Sequence, residues 1–341
     1  MSAIDIVVPC YNYSHFLEDC VGSILTQSVT DLRVLIIDDA SRDNSVAVAR
    51  RLALADPRVT VVAHARNKGH IATFNSGIAW ANGKYFLLIS ADDVLAPGAL
   101  ERAIKLMDEH PEIVLTYGDI ETWREGDPRP AIKADAPLEW SRTDLIGAMC
   151  RTATNFVSTP TAIVRGVVQK AVGGYNPTLP HTADLEMWLR LASHGEVAYI
   201  RNVQAIYRRH GDAMSNPYLS DVLPDYLQRW RGFVAFFDRA DSSDPRMAAL
   251  RQSTSRALAD QAFRHGIDEL RRGRFRQAKA LIGWAIKLYP PIRFHPPIGE
   301  VFRIPTAKGV RAALSRVRHD VGVPKQQTQG SSALGATEHI D

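Results

Sequence analysis

Short apolar runs, each long enough for one buried strand, alternate with amphipathic segments in the N-terminal part of the chain. Between the runs, apolar residues recur at the spacing of one helix face, as in Leu17, Val21 and Ile24. The resulting order is β-α-β-α-β-α-β, with strands that are apolar on both faces. Such strands are typical of a parallel sheet covered by helices on both sides, so the sequence predicts an α/β fold with a mostly parallel sheet. The runs span residues 4–8, 33–37, 59–63 and 85–89.

Two of the predicted strands end in pairs of acidic residues. Asp38 and Asp39 follow the second run, and Asp92 and Asp93 follow the fourth after a short polar step. Ligands of open α/β sheets bind at the carboxyl ends of the strands, so the two pairs indicate one cleft for a metal ion or a polar substrate. Asp is also common in turns and at helix N-caps, which is the structural alternative for each pair taken alone.

The strand pattern stops after about residue 215, and helical periodicity replaces it. Residues 218–238 and 247–272 are predicted helices, and an apolar stripe continues from Phe275 to Tyr289. The spacing of small residues in these last segments is similar to that of a tetratricopeptide helix pair. The predicted division is 1–215 for the α/β domain, 216–292 for a helical extension, 293–323 for a basic amphipathic segment and 324–341 for a disordered tail.

Composition and charge restrict the class of protein. The chain has 341 residues, of which 45% are hydrophobic and 23% charged, and no apolar run approaches the length of a membrane-spanning helix. Residues 1–9 lack the features of a signal peptide, so a cytoplasmic location is predicted. The net charge of +4 is mild, and no nucleic-acid partner is predicted. The basic segment 293–323 is predicted to contact phosphates at the inner face of the cell membrane, or alternatively to form a solvated helix packed on the core.

Cysteine and glycine motifs exclude several kinds of site. Cys10, Cys20 and Cys150 have no Cys-x-x-Cys spacing and no nearby His, which argues against a disulfide framework or a structural zinc site. The turn after the first predicted strand lacks G-x-G-x-x-G, and no G-x-x-x-x-G-K-[ST] occurs in the chain. A glycine loop therefore does not bind a diphosphate here. A divalent cation held by carboxylates performs that task instead, which gives Asp92 and Asp93 a chemical purpose.

Several short segments of the first hundred residues have a distinctive order and spacing. They are Val8–Asn12, Leu25–Ser28, Ile37–Ser41, Asn67–Gly69, Asn75–Gly77, Gly83–Tyr85 and Ser90–Asp93. Together they resemble a known family, the nucleotide-sugar glycosyltransferases called family 2. The resemblance continues at Gly173–Tyr175, Ala183–Arg190 and Tyr207–His210, and so covers roughly residues 3–215. It implies the GT-A fold, which is Rossmann-like.

The resemblance implies an inverting transfer of one sugar from a nucleoside diphosphate sugar to a hydroxyl acceptor, a glycan or lipid-linked glycan, in cell-surface or extracellular polysaccharide synthesis. Such a reaction needs a base for the acceptor proton and positive charge for the departing diphosphate, here Mg²⁺ or Mn²⁺. Among the donor contacts, Asp39 is expected at the nucleotide base and Asp92 near the ribose. The implied residues are Asp184 as the base; Pro9, Tyr11, Asp39, Asn67, Asp92 and Arg208 in the donor site; Asp93 and His210 at the metal; and Trp188 and Glu186 toward the acceptor.

Structural alternatives exist for three of these residues. Asp184 also fits the N-cap of a helix predicted over residues 185–193. Trp188 lies at helical spacing with apolar neighbours and is equally typical of a core residue. A His beside arginines, such as His210, is often only a hydrogen-bonded surface residue.

Two departures from the family pattern keep other functions open. Ser90 stands where the family often has an acidic residue, and Ala183 stands where it commonly has Glu. A catalytically degenerate nucleotide-sugar-binding or scaffold protein is therefore one alternative. A nucleotidyltransferase of similar architecture is another, although it would have a glycine-rich, basic loop after the first strand, where this chain has Pro-Cys-Tyr-Asn-Tyr.

Overall fold

A computed structural model describes residues 2–134, 136–214, 222–240 and 244–294, and within them the strands form one sheet. The strands are β1 (Ile4–Cys10), β2 (Leu32–Asp38), β3 (Val59–Ala63), β4 (Tyr85–Leu88), β5 (Val94–Leu95), β6 (Ile113–Arg124), β7 (Trp140–Thr143), β8 (Ile163–Arg165) and β9 (Glu196–Arg209). The helices are α1 (Ser14–Leu25), α2 (Ser45–Ala55), α3 (His70–Trp80), α4 (Ala99–Glu109), α5 (Leu145–Thr152), α6 (Gly166–Val172), α7 (Ala183–Ala192), α8 (Val222–Phe237), α9 (Pro245–Arg271) and α10 (Phe275–Leu288).

The sheet is parallel in its first half and mixed in its second. Its order is β3-β2-β1-β4-β8-β6-β9-β5, with β7 pairing with β9. The first four strands pair in parallel, as the β-α-β pattern predicted. Beyond them β8 is antiparallel to both β4 and β6, whereas β6 and β9 are parallel. The predicted α/β fold is confirmed, and its antiparallel strands lie in the part of the sheet after β4.

Burial on both faces explains why the central strands are almost wholly apolar. All seven residues of β1 are buried. Ile6 and Val8 belong to the hydrophobic cluster on one face, and Val7 belongs to the cluster on the other. Successive side chains of a strand point to opposite faces, so a strand between two helical layers needs apolar residues at every position.

A buried carboxylate ties together the amino ends of the central strands. Asp5 is fully buried in β1 and forms an ion pair with Arg33 of β2. The backbone N–H groups of Asn82 and Gly83, in the turn before β4, donate to Asp5 Oδ2 at 2.6 and 2.8 Å. Burial raises the pKa of Asp5, but the hydrogen bonds from Arg33, Ser2 and this turn outweigh it and leave the pKa below its ordinary value.

Three helices follow the α/β domain and pack against it. Helix α8 contacts α7, α9 contacts α5, and α9 and α10 form a closely packed pair. At Gly266 of α9 an added Cβ would lie 2.6 Å from Ile282 Cγ1 of α10, so the glycine permits this close approach. Among the described helices, none is both long and apolar enough to cross a membrane. The predicted basic segment beyond residue 294 and the tail at 324–341 lie outside the described residues.

Replacing Asp5 tests the role of this carboxylate in the sheet. Asp5→Ala leaves the N–H groups of Asn82 and Gly83 and the Arg33 guanidinium without their acceptor, and we expect the free energy of unfolding to fall by about 3 kcal/mol in urea denaturation at pH 7. The lowered pKa means that the Asp5 contribution is complete above the ordinary value of 3.8 and is lost as the pH falls through the folded-state pKa. The difference between wild type and variant should therefore shrink on acidification below that value.

Asp31→Ala provides the control, because Asp31 is exposed and accepts a hydrogen bond from Ala3 N–H at the surface. We expect a change within about 0.5 kcal/mol. Equal losses in the two variants would show that Asp5 contributes no more than a surface carboxylate.

Candidate active site

The loops at the carboxyl ends of β1 and β2 are braced against each other. Asn12 N–H donates to Ser41 Oγ at 2.9 Å, and Arg42 N–H donates to Asn12 Oδ1 at 2.8 Å. Asn12 and Ala40 have φ values of 59° and 61°, in the left-handed region that Ala adopts only at an energetic cost. The cross-bracing holds both turns in this conformation, and it fixes the floor of a cleft at this edge of the sheet.

Asp39 lies in this cleft and organises the loop after β3. Its Oδ1 contacts His64 Nδ1 at 2.8 Å and accepts Lys68 N–H at 2.9 Å, while Oδ2 accepts Gly69 N–H at 2.9 Å. Asn67 Nδ2 donates to the Asp39 carbonyl at 3.1 Å. Burial raises the pKa of Asp39, but the contacts with His64, Lys68 N–H and Gly69 N–H outweigh it and leave the pKa below its ordinary value. The carboxyl group is therefore ionised at neutral pH.

The second acid pair is divided between two environments. Asp93 is 3% exposed and its Oδ1 accepts Arg208 N–H at 3.1 Å. Burial, followed by the neighbouring charge of Asp92, raises the pKa of Asp93 well above its ordinary value. Asp92 is more accessible, and its Oδ2 contacts His210 Nε2 at 3.1 Å. Asp92 Oδ1 is buried and has no hydrogen-bond partner in the part of the chain that the structure describes.

Arg208 lies against the turn that carries the second acid pair. Its guanidinium carbon is 4.4 and 4.3 Å from the ring centroids of Phe16 and Trp123. Nε donates to the Asp92 carbonyl at 2.9 Å, and the side chain is only 9% exposed. Arg208 thus holds the acid-pair turn in position, and its predicted place in the donor site stays a prediction.

Asp184 occupies the first turn of α7. Its Oδ2 accepts Asn155 Nδ2 at 2.9 Å and its Oδ1 accepts Leu185 N–H at 2.7 Å. The structure assigns the N-cap of this helix to Thr182 rather than to Asp184. Burial raises the pKa of Asp184 above its ordinary value despite these two hydrogen bonds. A carboxylate with a raised pKa accepts a proton more readily, which is the property of a general base.

The segment before Asp184 borders the loop that Asp39 organises. His70, at the start of α3, contacts the Pro180 carbonyl through Nε2 at 2.8 Å. Asn75 of the same helix accepts a hydrogen bond from Tyr175 N–H at 2.7 Å and donates one to the Tyr175 carbonyl at 3.0 Å. These contacts hold Pro180, four residues before Asp184, against the start of α3.

Three other predicted residues are buried. Pro9 lies within β1, and its carbonyl accepts a hydrogen bond from Ala91 N–H at 3.2 Å. The ring centroid of Trp188, which is 2% exposed, lies 6.4 Å from that of Tyr175. Glu186 is fully buried and pairs with an arginine of its own helix. Trp188 and Glu186 thus lie in the core, and the ligand contacts of all three residues stay predictions. Tyr11, by contrast, is 40% exposed.

The two predicted metal ligands lie at the same turn. His210 Nε2 contacts Asp92 Oδ2 at 3.1 Å, and Asp93 is the next residue along the chain. No group of three or more His, Cys, Asp or Glu side chains that could hold a metal ion occurs within the described ranges. The metal site stays a prediction.

Two polar side chains at the site were not predicted. Asp38, the last residue of β2, pairs with Ala63, the last residue of β3. His64 and Asp39 are the next residues of the two strands and therefore lie side by side. The strand pattern of the sequence thus contained the signal for His64. Asn155 lies between α5 and a short 3-10 turn, and no local pattern marks it.

The chain matches a protein family over the part that forms this cleft. Residues 5–166 match the family described as Glycosyl transferase family 2. These residues form a family 2 glycosyltransferase domain. The chondroitin synthase of Pasteurella multocida (strain Pm70) is 29% identical over 216 residues, which cover 62% of this chain and 21% of the synthase. The chain thus spans about a fifth of that relative's length.

Solved structures show that the glycosyltransferase domain has the predicted GT-A fold. S. aureus TarS, residues 1–349 in complex with UDP-GlcNAc, has a TM-score of 0.62 at 17% identity and covers 85% of this chain and 82% of its own. The mannosyltransferase PcManGT from Pyrobaculum calidifontis, in complex with GDP-Man and Mn²⁺, has a TM-score of 0.53 at 18% identity. The match covers 94% of this chain and 88% of PcManGT.

Asp39→Asn tests whether Asp39 acts through the loop of the glycosyltransferase cleft. The amide retains one acceptor oxygen but places an NH₂ group against backbone donors, so we expect faster hydrogen exchange at residues 67–70. The expected accompanying change is a roughly tenfold weaker affinity for a nucleoside diphosphate, equivalent to about 1.4 kcal/mol in calorimetry. A loss of affinity with unchanged exchange in the loop would instead indicate that Asp39 acts only by contacting the nucleotide.

Proposed function

We propose that this chain is an inverting glycosyltransferase that moves one sugar from a nucleoside diphosphate sugar to the hydroxyl group of a glycan or lipid-linked glycan. The observation that carries the proposal is Asp184, a carboxylate with a raised pKa beside the β3–α3 loop. The family match supports the reaction class, and the nucleotide sugars in the TarS and PcManGT structures support the donor class.

In this reaction Asp184 takes the proton of the acceptor hydroxyl while that oxygen bonds to the anomeric carbon. The bond from this carbon to the diphosphate breaks on the opposite face, which inverts the configuration. Asn155 holds the carboxylate by donating to Oδ2 and favours its charged form. Hydrogen bonds from neutral donors position a base without removing its ability to accept a proton.

The residues around Asp92 fit a divalent cation bound together with the donor. Asp92 Oδ1 is a buried oxygen without a hydrogen-bond partner among the described residues, and His210 contacts the other oxygen of the same carboxylate. We propose that Asp92, supported by His210, binds Mg²⁺ or Mn²⁺, with Asp93 buried behind it. Such an ion, when bound, supplies positive charge that stabilises the departing diphosphate. The Mn²⁺ in the PcManGT structure supports this proposal.

A role in polysaccharide synthesis follows from the nature of one relative. The glycosyltransferase domain is similar to part of a chondroitin synthase, and the similarity covers 21% of that protein. We propose a growing or lipid-linked glycan as the acceptor and a product destined for the cell surface or the extracellular polysaccharide.

Asp184→Asn tests the assignment of the base. We expect kcat to fall by at least about 100-fold because the amide cannot accept the acceptor proton, while the dissociation constant of the donor stays within about twofold. Wild-type kcat/KM should decline toward low pH with an apparent pKa above 3.8, because protonation of Asp184 removes the base. The measurements are a transfer assay over a panel of nucleotide sugars and calorimetry of donor binding.

Asp268→Asn is a suitable control, since Asp268 is partly exposed and pairs with Arg271 on the helical extension. It should leave both constants unchanged. Loss of donor binding in Asp184→Asn, in parallel with the loss of turnover, would indicate that Asp184 only stabilises α7.

Chelation and metal titration test the cation site. Excess EDTA should abolish transfer, and Mn²⁺ or Mg²⁺ should restore it. We expect His210→Gln to raise the Mn²⁺ concentration for half-maximal activity by about 10- to 100-fold, because His210 orients Asp92. Asp92→Asn should raise it at least as much. Full wild-type activity in excess chelator would refute the metal proposal.

A further inference from the structure

The first helix of the C-terminal extension contacts the turn that carries the proposed base. Thr182 Oγ1, one residue before α7, donates to the Gln228 carbonyl of α8 at 2.9 Å. Gly232 of α8 faces the same turn, where an added Cβ would lie 3.1 Å from Thr182 Oγ1 and 3.2 Å from Leu185 Cδ2. The backbone of α8 therefore lies directly against the residues on both sides of Asp184.

A side-chain contact joins the extension to the residue three positions before the base. Asp225 Oδ1 of α8 lies 3.0 Å from His181 Nε2, and both side chains are mostly shielded from solvent. Asp225 thus fixes the position of the segment that leads into the base.

The same network reaches the other neighbour of the base. Arg229 NH1 lies 3.5 Å from Asp225 Oδ2, and Arg229 NH2 donates to Gln261 Oε1 of α9 at 2.5 Å. Gln261 Nε2 then donates to the Thr152 carbonyl at 2.6 Å. Thr152 ends α5, three residues before Asn155, which donates to Asp184. The chain Asp225–Arg229–Gln261 thereby holds both segments that flank the carboxylate.

We infer that the helical extension is part of the catalytic unit, with Asp225 and Gln261 as positioning residues for Asp184. The inference rests on the proposed function, because it assigns the extension a role in the reaction of that base. Side chains that contact no substrate can still determine the rate, since a displacement of about 1 Å at the reacting groups costs on the order of 100-fold.

The test compares Asp225→Asn with Asp238→Asn. Asp238 follows α8 directly and pairs with Arg251 at 3.1 Å, but both members of that pair are about half exposed and lie on the extension itself. We expect Asp225→Asn to lower kcat by about 10-fold or more while the donor dissociation constant and the melting temperature stay close to wild type. Hydrogen exchange at residues 181–187 should become faster in Asp225→Asn and remain unchanged in Asp238→Asn.

Gln261→Leu and Asp225→Glu extend the comparison. Gln261→Leu removes the contact with Thr152 and should lower kcat in the same way, with faster exchange around residue 155. Asp225→Glu keeps a carboxylate for His181 and should recover part of the activity lost in Asp225→Asn. A recovery of this kind distinguishes positioning from loss of packing.

Each outcome decides the matter. Unchanged kcat in Asp225→Asn and Gln261→Leu, or an equal loss in Asp238→Asn, would overturn the inference. Unchanged exchange at residues 181–187 in Asp225→Asn would overturn it irrespective of activity. If the wild type transfers sugar to no acceptor but exchange responds as expected, the proposed function fails while the structural coupling between the extension and Asp184 holds.

Discussion

The parallel pairing of β1 with β2 and β4 is the constraint on which the site depends. Cys10 pairs with Asp38 and Val7 with Leu88, so the carboxyl ends of the three strands reach the same edge of the sheet. Parallel strands need crossover helices, and those helices require apolar residues on both faces of each strand. The packing of helices on both faces thus requires apolar strands, and the parallel pairing brings the polar residues after those strands to one edge of the sheet. Asp5 secures the opposite ends of these strands against each other.

The second half of the sheet supplies the far side of the cleft through a long-range pairing. Val94, just after the acid pair, pairs with Ile206 of β9, which places Arg208 and His210 beside Asp92 and Asp93. More than a hundred residues separate the two segments along the chain. The position of the acid-pair turn thus depends on a strand that is distant from it along the chain.

The sequence predicted the central strands, their order and the acidic edge because each of these is encoded locally. A strand that is apolar on both faces is recognised in the sequence as a continuous apolar run of strand length. The first polar residues after the run mark its end. The antiparallel strands after β4 were not predicted, since β8 has three residues and most of β6 beyond Gly118 is not apolar on both faces. Their pairing is set by distant partners.

The residues of the site divide in the same way. Asp39 and Asp92 follow from the strand pattern, whereas Asp184 came from the family resemblance. Pro9, Trp188 and Arg208 are all buried in the structure, and residue type alone does not reveal burial. Arg208 lies between two aromatic rings, one of which belongs to a residue 85 positions earlier in the chain, Trp123. Asn155 and Asp225 act through partners brought together only by the fold.

The carboxylates of this domain show how hydrogen-bond donors separate structural from chemical roles. Asp5 and Asp39 are buried, yet each accepts several bonds from backbone N–H groups and a basic side chain, and the pKa of each is lowered. Asp184 accepts one backbone and one amide donor, and burial then prevails and raises its pKa. A carboxylate surrounded by donors stays charged and organises the chain around it, whereas one with few donors remains able to accept a proton. Asp184, the base in the proposed reaction, belongs to the second kind, and the amide of Asn155 holds its carboxylate in place.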